Sequence, residues 1–233
     1  MFTHTGANLE PHGIRPSAGF LRVLGVAFDV ALSALESRVA LDAKATARCR
    51  SLREALFARA LTRDTSGARA TSSLGWDWDE LVSDETLCAG VLTVYRGKPI
   101  PIHDHPGSCG VLLVVDGVMG VREFRRADTT DSGASTTALR LVGQKRFAPA
   151  QHALITRGAR NLHSVIAHSE ACVVLDLLFS PYRESKRTWY MPLDSRYDDT
   201  SPFPVISFDP TGRQGRRLAS GASVAPRAPS TTN

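Results

Sequence analysis

Apolar positions along the chain change their period once, near residue 75. Before that point Phe20, Val23, Leu24, Ala27, Ala31, Leu35 and Val39 recur at spacings of three and four, the repeat that lines side chains along one face of an α-helix. A second helix is expected over residues 45–61, with Leu52, Leu56 and Leu61 on one side and arginines on the other. From Thr86 onward the pattern becomes short β-branched runs separated by Gly, Pro, Asp and Asn, which read as strands. The runs are LCAGVLTVY, SCGVLLVV, VMGVREFRR, ALRLVG, QKRFA, HALIT, NLHSVIA and ACVVLDLLF. Asp116-Gly117, in VDGV, suits a tight two-residue turn and predicts a hairpin between the second and third runs. Residues 128–137, DTTDSGASTT, read as a longer exposed loop. Many short strands without intervening helical periodicity predict a mainly β sandwich or barrel preceded by a helical segment. The expected organisation is a flexible leader over 1–17, a helical segment over 18–75, a barrel domain over 76–210 and a disordered basic tail over 211–233.

Composition adds limits. A chain of 233 residues, 42% hydrophobic and 22% charged, is an ordinary globular protein with one main core. Its most apolar early stretch, GFLRVLGVAFDVALSALESRVAL, is broken by Arg22, Asp29 and Glu36. These charges argue against both an uninterrupted span of about 18 apolar residues and a signal peptide, so a cytoplasmic protein with no membrane partner is expected. Cys49, Cys88, Cys109 and Cys172 show no CxxC spacing and read as free thiols. The net charge of +5 belongs to the tail: residues 211–233 hold four arginines and no acid, leaving 24 basic against 23 acidic residues elsewhere. Nucleic acid is therefore not an expected partner.

Candidate chemistry centres on histidine. In KPIPIHDHPG, His103 and His105 stand two apart, and on a strand residues i and i+2 face the same side. Two imidazoles aimed at one point suit a metal. Pro106 and Gly107 break the strand just after the pair, and a barrel supplies an interior that a third histidine can share, either His163 in NLHSV or His152 in AQHALI. Asp104 points away from the pair and is expected to bond loop backbone. Asp176 interrupts an otherwise apolar strand, and a buried carboxylate needs partners.

The spacing of Gly97, His103, His105, position 110 and Gly117 resembles the first motif of the cupin superfamily, whose fold is a small double-stranded β-barrel with an internal metal. Where most metal-binding cupins place a glutamate ligand, this chain has Gly110. Within the cupins, IPIHDHPG, NLHSV and CVVLDLLFSPY resemble the thiol dioxygenases, and most the branch of cysteamine dioxygenase and the plant cysteine oxidases, over about residues 87–190. The resemblance implies a mononuclear non-haem iron enzyme that adds both atoms of O2 to a thiol, giving a sulfinic acid without an organic cofactor. It implies Fe(2+) ligands His103, His105 and His163, favouring His163 over His152, and catalytic residues Asp176 and Tyr182.

The implied partners are O2 and a small thiol (cysteamine or cysteine) or the N-terminal cysteine of a peptide, met by a monomer. Asp176 can instead orient a histidine or bond a loop, and Tyr182 can pack over the barrel mouth. His152 and His168 are expected to cap strands or lie at the surface, Arg96 to be solvated, and Trp189 and Tyr190 to pack. With Gly110 in place, the cysteine–tyrosine crosslink of some thiol dioxygenases is not expected, and Cys109, one position away, should face the other side of its strand. No carboxylate clamp is visible, which leans towards amine thiols and peptide N-termini. The competing readings are another metal-dependent cupin enzyme and a non-catalytic cupin that binds a small ligand.

Overall fold

The computed structural model describes residues 17–62, 75–127, 137–158, 161–180, 187–193 and 202–208. The expected leader except Ser17, the 128–137 loop except its last residue, and the basic tail lie outside the described residues.

Among the described residues three helices come first, α1 (Ala18–Glu36), α2 (Ala43–Ser51) and α3 (Arg53–Leu61). The Ser17 hydroxyl caps α1 by accepting the Phe20 N–H at 3.1 Å, which satisfies one of the free donors of its first turn. The buried stripe of α1 is Leu24, Phe28, Ala31, Leu32 and Leu35, while Val23 faces outward. The helical period is the expected one with its face rotated. α1 carries apolar residues on both sides, so periodicity alone does not choose the side that packs. By length and a mean hydropathy of 1.7, α1 is apolar enough to cross a membrane despite its three charges, yet its buried stripe is part of a core shared with the sheet beneath. The single helix expected over 45–61 divides at Leu52. That residue's N–H is shared between Arg48 O and Cys49 O, and the break lets Cys49 on α2 and Leu56, Phe57 and Ala60 on α3 bury together.

Among the described residues eleven strands follow: β1 (Trp76–Ser83), β2 (Leu87–Tyr95), β3 (Ile100–His103), β4 (Cys109–Asp116), β5 (Met119–Arg126), β6 (Thr137–Phe147), β7 (His152–Ile155), β8 (His163–Ala167), β9 (Ala171–Phe179), β10 (Trp189–Pro192) and β11 (Phe203–Phe208). They form a five-stranded sheet ordered β1-β2-β9-β4-β7 and a closed ring ordered β10-β11-β6-β5-β8-β3. The mainly β barrel preceded by helices is the expected cupin architecture.

β2, β4 and β9 occupy the middle of the open sheet. Helices cover one of its faces and the ring covers the other, and strands buried on both sides read as continuous apolar runs. Alternate residues divide accordingly. Val111, Leu113, Leu175 and Leu177 join the helical core, whereas Leu112, Val114, Val174 and Leu178 join Ile100, Met119 and Val165 of the ring.

Several sequence expectations are corrected. Asp116-Gly117 does not close a hairpin: β4 pairs with β7 and β9, and β5 with β6 and β8. The turn passes the chain from the sheet to the ring, a choice made by the strands' partners rather than by the turn residues. ALRLVG and QKRFA are one strand, β6, because the Gly read as a break sits where the β5–β6 register shifts. β1, β10 and β11 were not among the expected strands. β1 mixes Asp and Trp at the sheet edge, and β11 carries Pro204, so neither shows the apolar alternation of a central strand.

Gly117 has φ +75°, and a Cβ there would lie 2.3 Å from Ala171 O. Gly117→Ala should therefore destabilise the protein by about 1–3 kcal/mol, read as a lower denaturant midpoint at an unchanged slope. An unaltered midpoint would show that the sheet-to-ring turn relaxes freely.

Candidate metal centre

His103 ends β3 and is the direct cross-strand partner of His163, the first residue of β8. On its other side His103 pairs with Trp189 of β10. His105 lies beyond the end of β3 rather than on a strand as expected, so strand alternation does not aim it. Asn161 does: its side-chain oxygen accepts the His105 N–H, and its side-chain amide donates to His105 O at 2.6 Å. The ring centroids lie 4.8 Å apart for His103 and His105, 4.6 Å for His103 and His163, and 5.2 Å for His105 and His163. One ring nitrogen from each falls within 4.8 Å of the others, and all three residues are buried. His152, on β7, and His168, just past β8, lie outside this cluster and are both half-buried.

Burial, acting before any neighbouring charge, holds the His103 and His105 pKa values well below the usual imidazole range. It brings His163 down to about 4. The rings are therefore neutral at neutral pH and keep the lone pairs that ligation requires. The His103 Nδ1–H donates to Pro101 O at 2.8 Å and the His163 Nδ1–H to Asn161 O at 3.2 Å, leaving Nε2 of each as the free acceptor. His105 Nδ1 instead accepts from Arg187 Nη2 at 3.3 Å, which puts the ring proton on Nε2, so His105 must give up this contact to offer a metal its lone pair. Such a donor set fits a divalent transition metal, with imidazole as the sole side-chain ligand type. Packing also keeps a fourth side chain out: a Cβ at Gly110 would stand 2.3 Å from Leu177 O and 2.8 Å from a Leu178 methyl.

The histidines face a cavity of about 150 Å³ whose wall includes Trp76, Trp78, Trp189, Cys88, Asp176 and Arg187. All three tryptophans of the chain are in that wall. Trp189 stacks on Trp76 at 6.1 Å and lies 4.6 Å from the His103 ring, so it builds the site as well as packing. Asp176 shares the inward face of β9 with Val174 and Leu178. Its Oδ1 is buried without a hydrogen-bond partner, and among the described residues it bonds none of the histidines. Burial raises its pKa to about 6, against the pull of Arg187. Burial, then Asp176, pushes the Cys88 thiol up to about 11, so Cys88 stays protonated and inert. A larger cavity of about 690 Å³ between α1 and β7 is mostly apolar and remote from the cluster.

Tyr182 lies outside the described residues. Asp104 turns away from the histidines, and its Oδ1 accepts the Thr188 N–H at 2.8 Å. Cys109 faces the helical core, as alternation predicts. Arg96 pairs with Glu170 at 3.0 Å on the surface. Sequence reasoning missed Trp76, Trp78, Cys88, Arg187 and the clamping role of Asn161. Alternation with Leu92 marks Cys88 as inward once β2 is drawn, whereas nothing local points to Arg187.

The PCO_ADO family profile matches residues 55–205. Similar solved structures include KdgF from Halomonas sp., at 19% identity over 52% of this chain and 88% of that one with a TM-score of 0.35. The Cnp3 cupin domain of Schizosaccharomyces pombe is 15% identical over 52% and 78%, TM-score 0.36. The polyketide cyclase RemF of Streptomyces resistomycificus is 17% identical over 47% and 68%, TM-score 0.34. A search of curated proteins found no match.

Two measurements follow from the electrostatics. Between pH about 4 and 6 folded Asp176 holds a proton that the unfolded chain has released, so its ionisation lowers stability as pH rises through that window. Asp176→Asn should stabilise the metal-free protein at pH 7 by about 2–3 kcal/mol, a gain that denaturant melts should find gone near pH 4. A gain independent of pH would refute the raised pKa. The histidines act in the opposite sense. Their folded pKa values lie below 6.5, so metal-free wild type should lose stability as pH falls from about 6.5 towards 4.

Proposed function

On the premise that this chain belongs to the PCO_ADO family of plant cysteine oxidases and cysteamine dioxygenases, we propose that it is an iron(II) thiol dioxygenase acting on cysteamine, cysteine or the N-terminal cysteine of a peptide. The observation that carries this reading is the convergence of three buried, neutral imidazoles with no carboxylate among them.

In this reading His103, His105 and His163 hold the metal. Bound iron(II) would supply a Lewis-acid centre that favours the thiolate over the thiol and admits dioxygen. Neutral ligands leave the metal's charge uncompensated, so a site of this kind favours an anionic sulfur donor. The net reaction consumes one thiol and one O2 and yields one sulfinic acid, with both oxygen atoms retained on sulfur.

The protein's own contributions can be assigned. Asn161 holds the His105 backbone, and the carbonyls of Pro101 and Asn161 orient the other two rings. Asp176 Oδ1 is an open acceptor with a pKa near 6, suited to take and return a proton beside the substrate. The three tryptophans keep water away from the reacting sulfur. Tyr182 is proposed as a hydrogen-bond donor to substrate or dioxygen, from the family resemblance alone. Four buried free cysteines suit a cytoplasmic setting.

Oxygen consumption by the anaerobically iron-loaded protein with each of the three thiols tests the reading. Mass detection should find a product with two added oxygen atoms. His103→Ala, His105→Ala and His163→Ala should each lose iron and turnover together. Stoichiometric iron retained by His103→Ala would refute the ligand assignment. Bound iron without turnover of any thiol would point to a different cupin chemistry or a binding protein.

A further inference from the structure

The cavity of about 690 Å³ between α1 and β7 lies apart from the histidines, and the chemistry proposed for them makes no use of it. It runs along the edge of the open sheet, at β7. Its α1 wall carries Val23, Val26 and Val30 at spacings of three and four. They are 54%, 60% and 53% exposed, on the helix face opposite the buried Leu24, Phe28 and Leu35, so the core does not account for them. Phe147 and Ala150, both half-buried, stand on the other side of the cleft.

Backbone strain and charge distinguish this cleft from a bare apolar patch. Ala150 has φ +66° and is the one non-glycine residue with positive φ among the described residues. That conformation is free for glycine and strained for alanine, and strain of this kind gathers at functional sites. The ladder behind it holds it there: Ala150 N–H donates to Val114 O at 2.8 Å, and Val114 N–H donates to Gln151 O at 3.0 Å. A methyl is thereby fixed in the cleft wall. Arg22 on α1 and Arg146 on β6 also line the cleft, and no acidic residue does. Neither arginine forms an ion pair among the described residues, and the charge of Arg38 acts on His152 in the same lining. An apolar trough bordered by unpaired guanidinium groups is the complement of an anion with an apolar body.

We propose that this cleft binds a free fatty acid, with its alkyl chain along Val23, Val26 and Val30 and its carboxylate at Arg22 and Arg146. The volume falls in the range of small-ligand sites, and the planar guanidinium fork matches a carboxylate in two parallel bonds. Other occupants fit less well. A second copy related by a twofold axis would set this face against itself and bring arginine towards arginine. A flat bilayer would meet the exposed valines and leave the space before Phe147 and Ala150 unfilled. The site is independent of the thiol dioxygenase reading.

All three tryptophans stand in the wall of the histidine cavity, so an added fluorophore is the suitable reporter. Titration of the full chain with dansyl-undecanoic acid should brighten the probe to saturation. Laurate should displace it about tenfold more effectively than dodecanol, and each methylene removed from laurate should weaken displacement about threefold. Val26→Asp should weaken probe binding about tenfold or more while the denaturation midpoint and iron content stay as in the wild type. Arg22→Gln combined with Arg146→Gln should bring laurate and dodecanol to near parity. Parity in the wild type, or a probe indifferent to Val26→Asp, would overturn the site. Sedimentation with phosphatidylglycerol vesicles that Val26→Asp abolishes, without displacement of the probe by laurate, would overturn it in favour of a membrane face. A dimer in light scattering that Val26→Asp dissociates, again without displacement by laurate, would overturn it in favour of self-association.

Discussion

β3 is four residues long and hydrogen-bonds to β8 on one side and to β10 on the other. That double pairing closes the ring, and it sets His103 between His163 and Trp189. Strand neighbours stand about 5 Å apart, so the ladder holds two of the three imidazoles in register before any metal is considered. The third depends on Asn161, whose side chain ties the loop after β3 to the start of β8. Ligand geometry here is a consequence of backbone hydrogen bonding.

Desolvation gives the assembled site its chemical character. The same burial that keeps the three histidines neutral raises Asp176 to near 6 and leaves the Cys88 thiol protonated. Removing water disfavours whichever form is charged, so acids rise and bases fall together. Asp176 and Arg187 stand in this wall as opposite charges without an ion pair between them among the described residues, which burial makes a costly arrangement. The closed position at Gly110 belongs to the same economy of space, since Leu178 occupies the room a carboxylate side chain would need.

Much of the fold is legible in the chain. The switch from helical to β-branched pattern falls near residue 75, and LCAGVLTVY and ACVVLDLLF match β2 and β9 residue for residue. Strands buried on both faces announce themselves because every position must be apolar. Among the edge and ring strands β5, β6, β7 and β8 still show readable runs, whereas β1 mixes Asp with Trp, β10 is four residues long and β11 carries Pro204. The Asp-Gly turn was legible as a turn, but its strands' partners were not, because a turn's conformation is local and pairing is decided by distant segments.

The sequence by itself determined the helical and strand periods, the place of Asp176 within an otherwise apolar strand, and the histidines His103, His105 and His163, each carried in a short motif. Local chemistry and alternation suffice for these, since each depends on near neighbours in the chain. Only the tertiary structure decided that His105 is held by Asn161 rather than by strand alternation, that the three tryptophans wall one cavity, and that Arg187 faces the histidines. Those relations are made by strand pairing between segments about 55 to 85 residues apart, and no local pattern encodes which pairing will form.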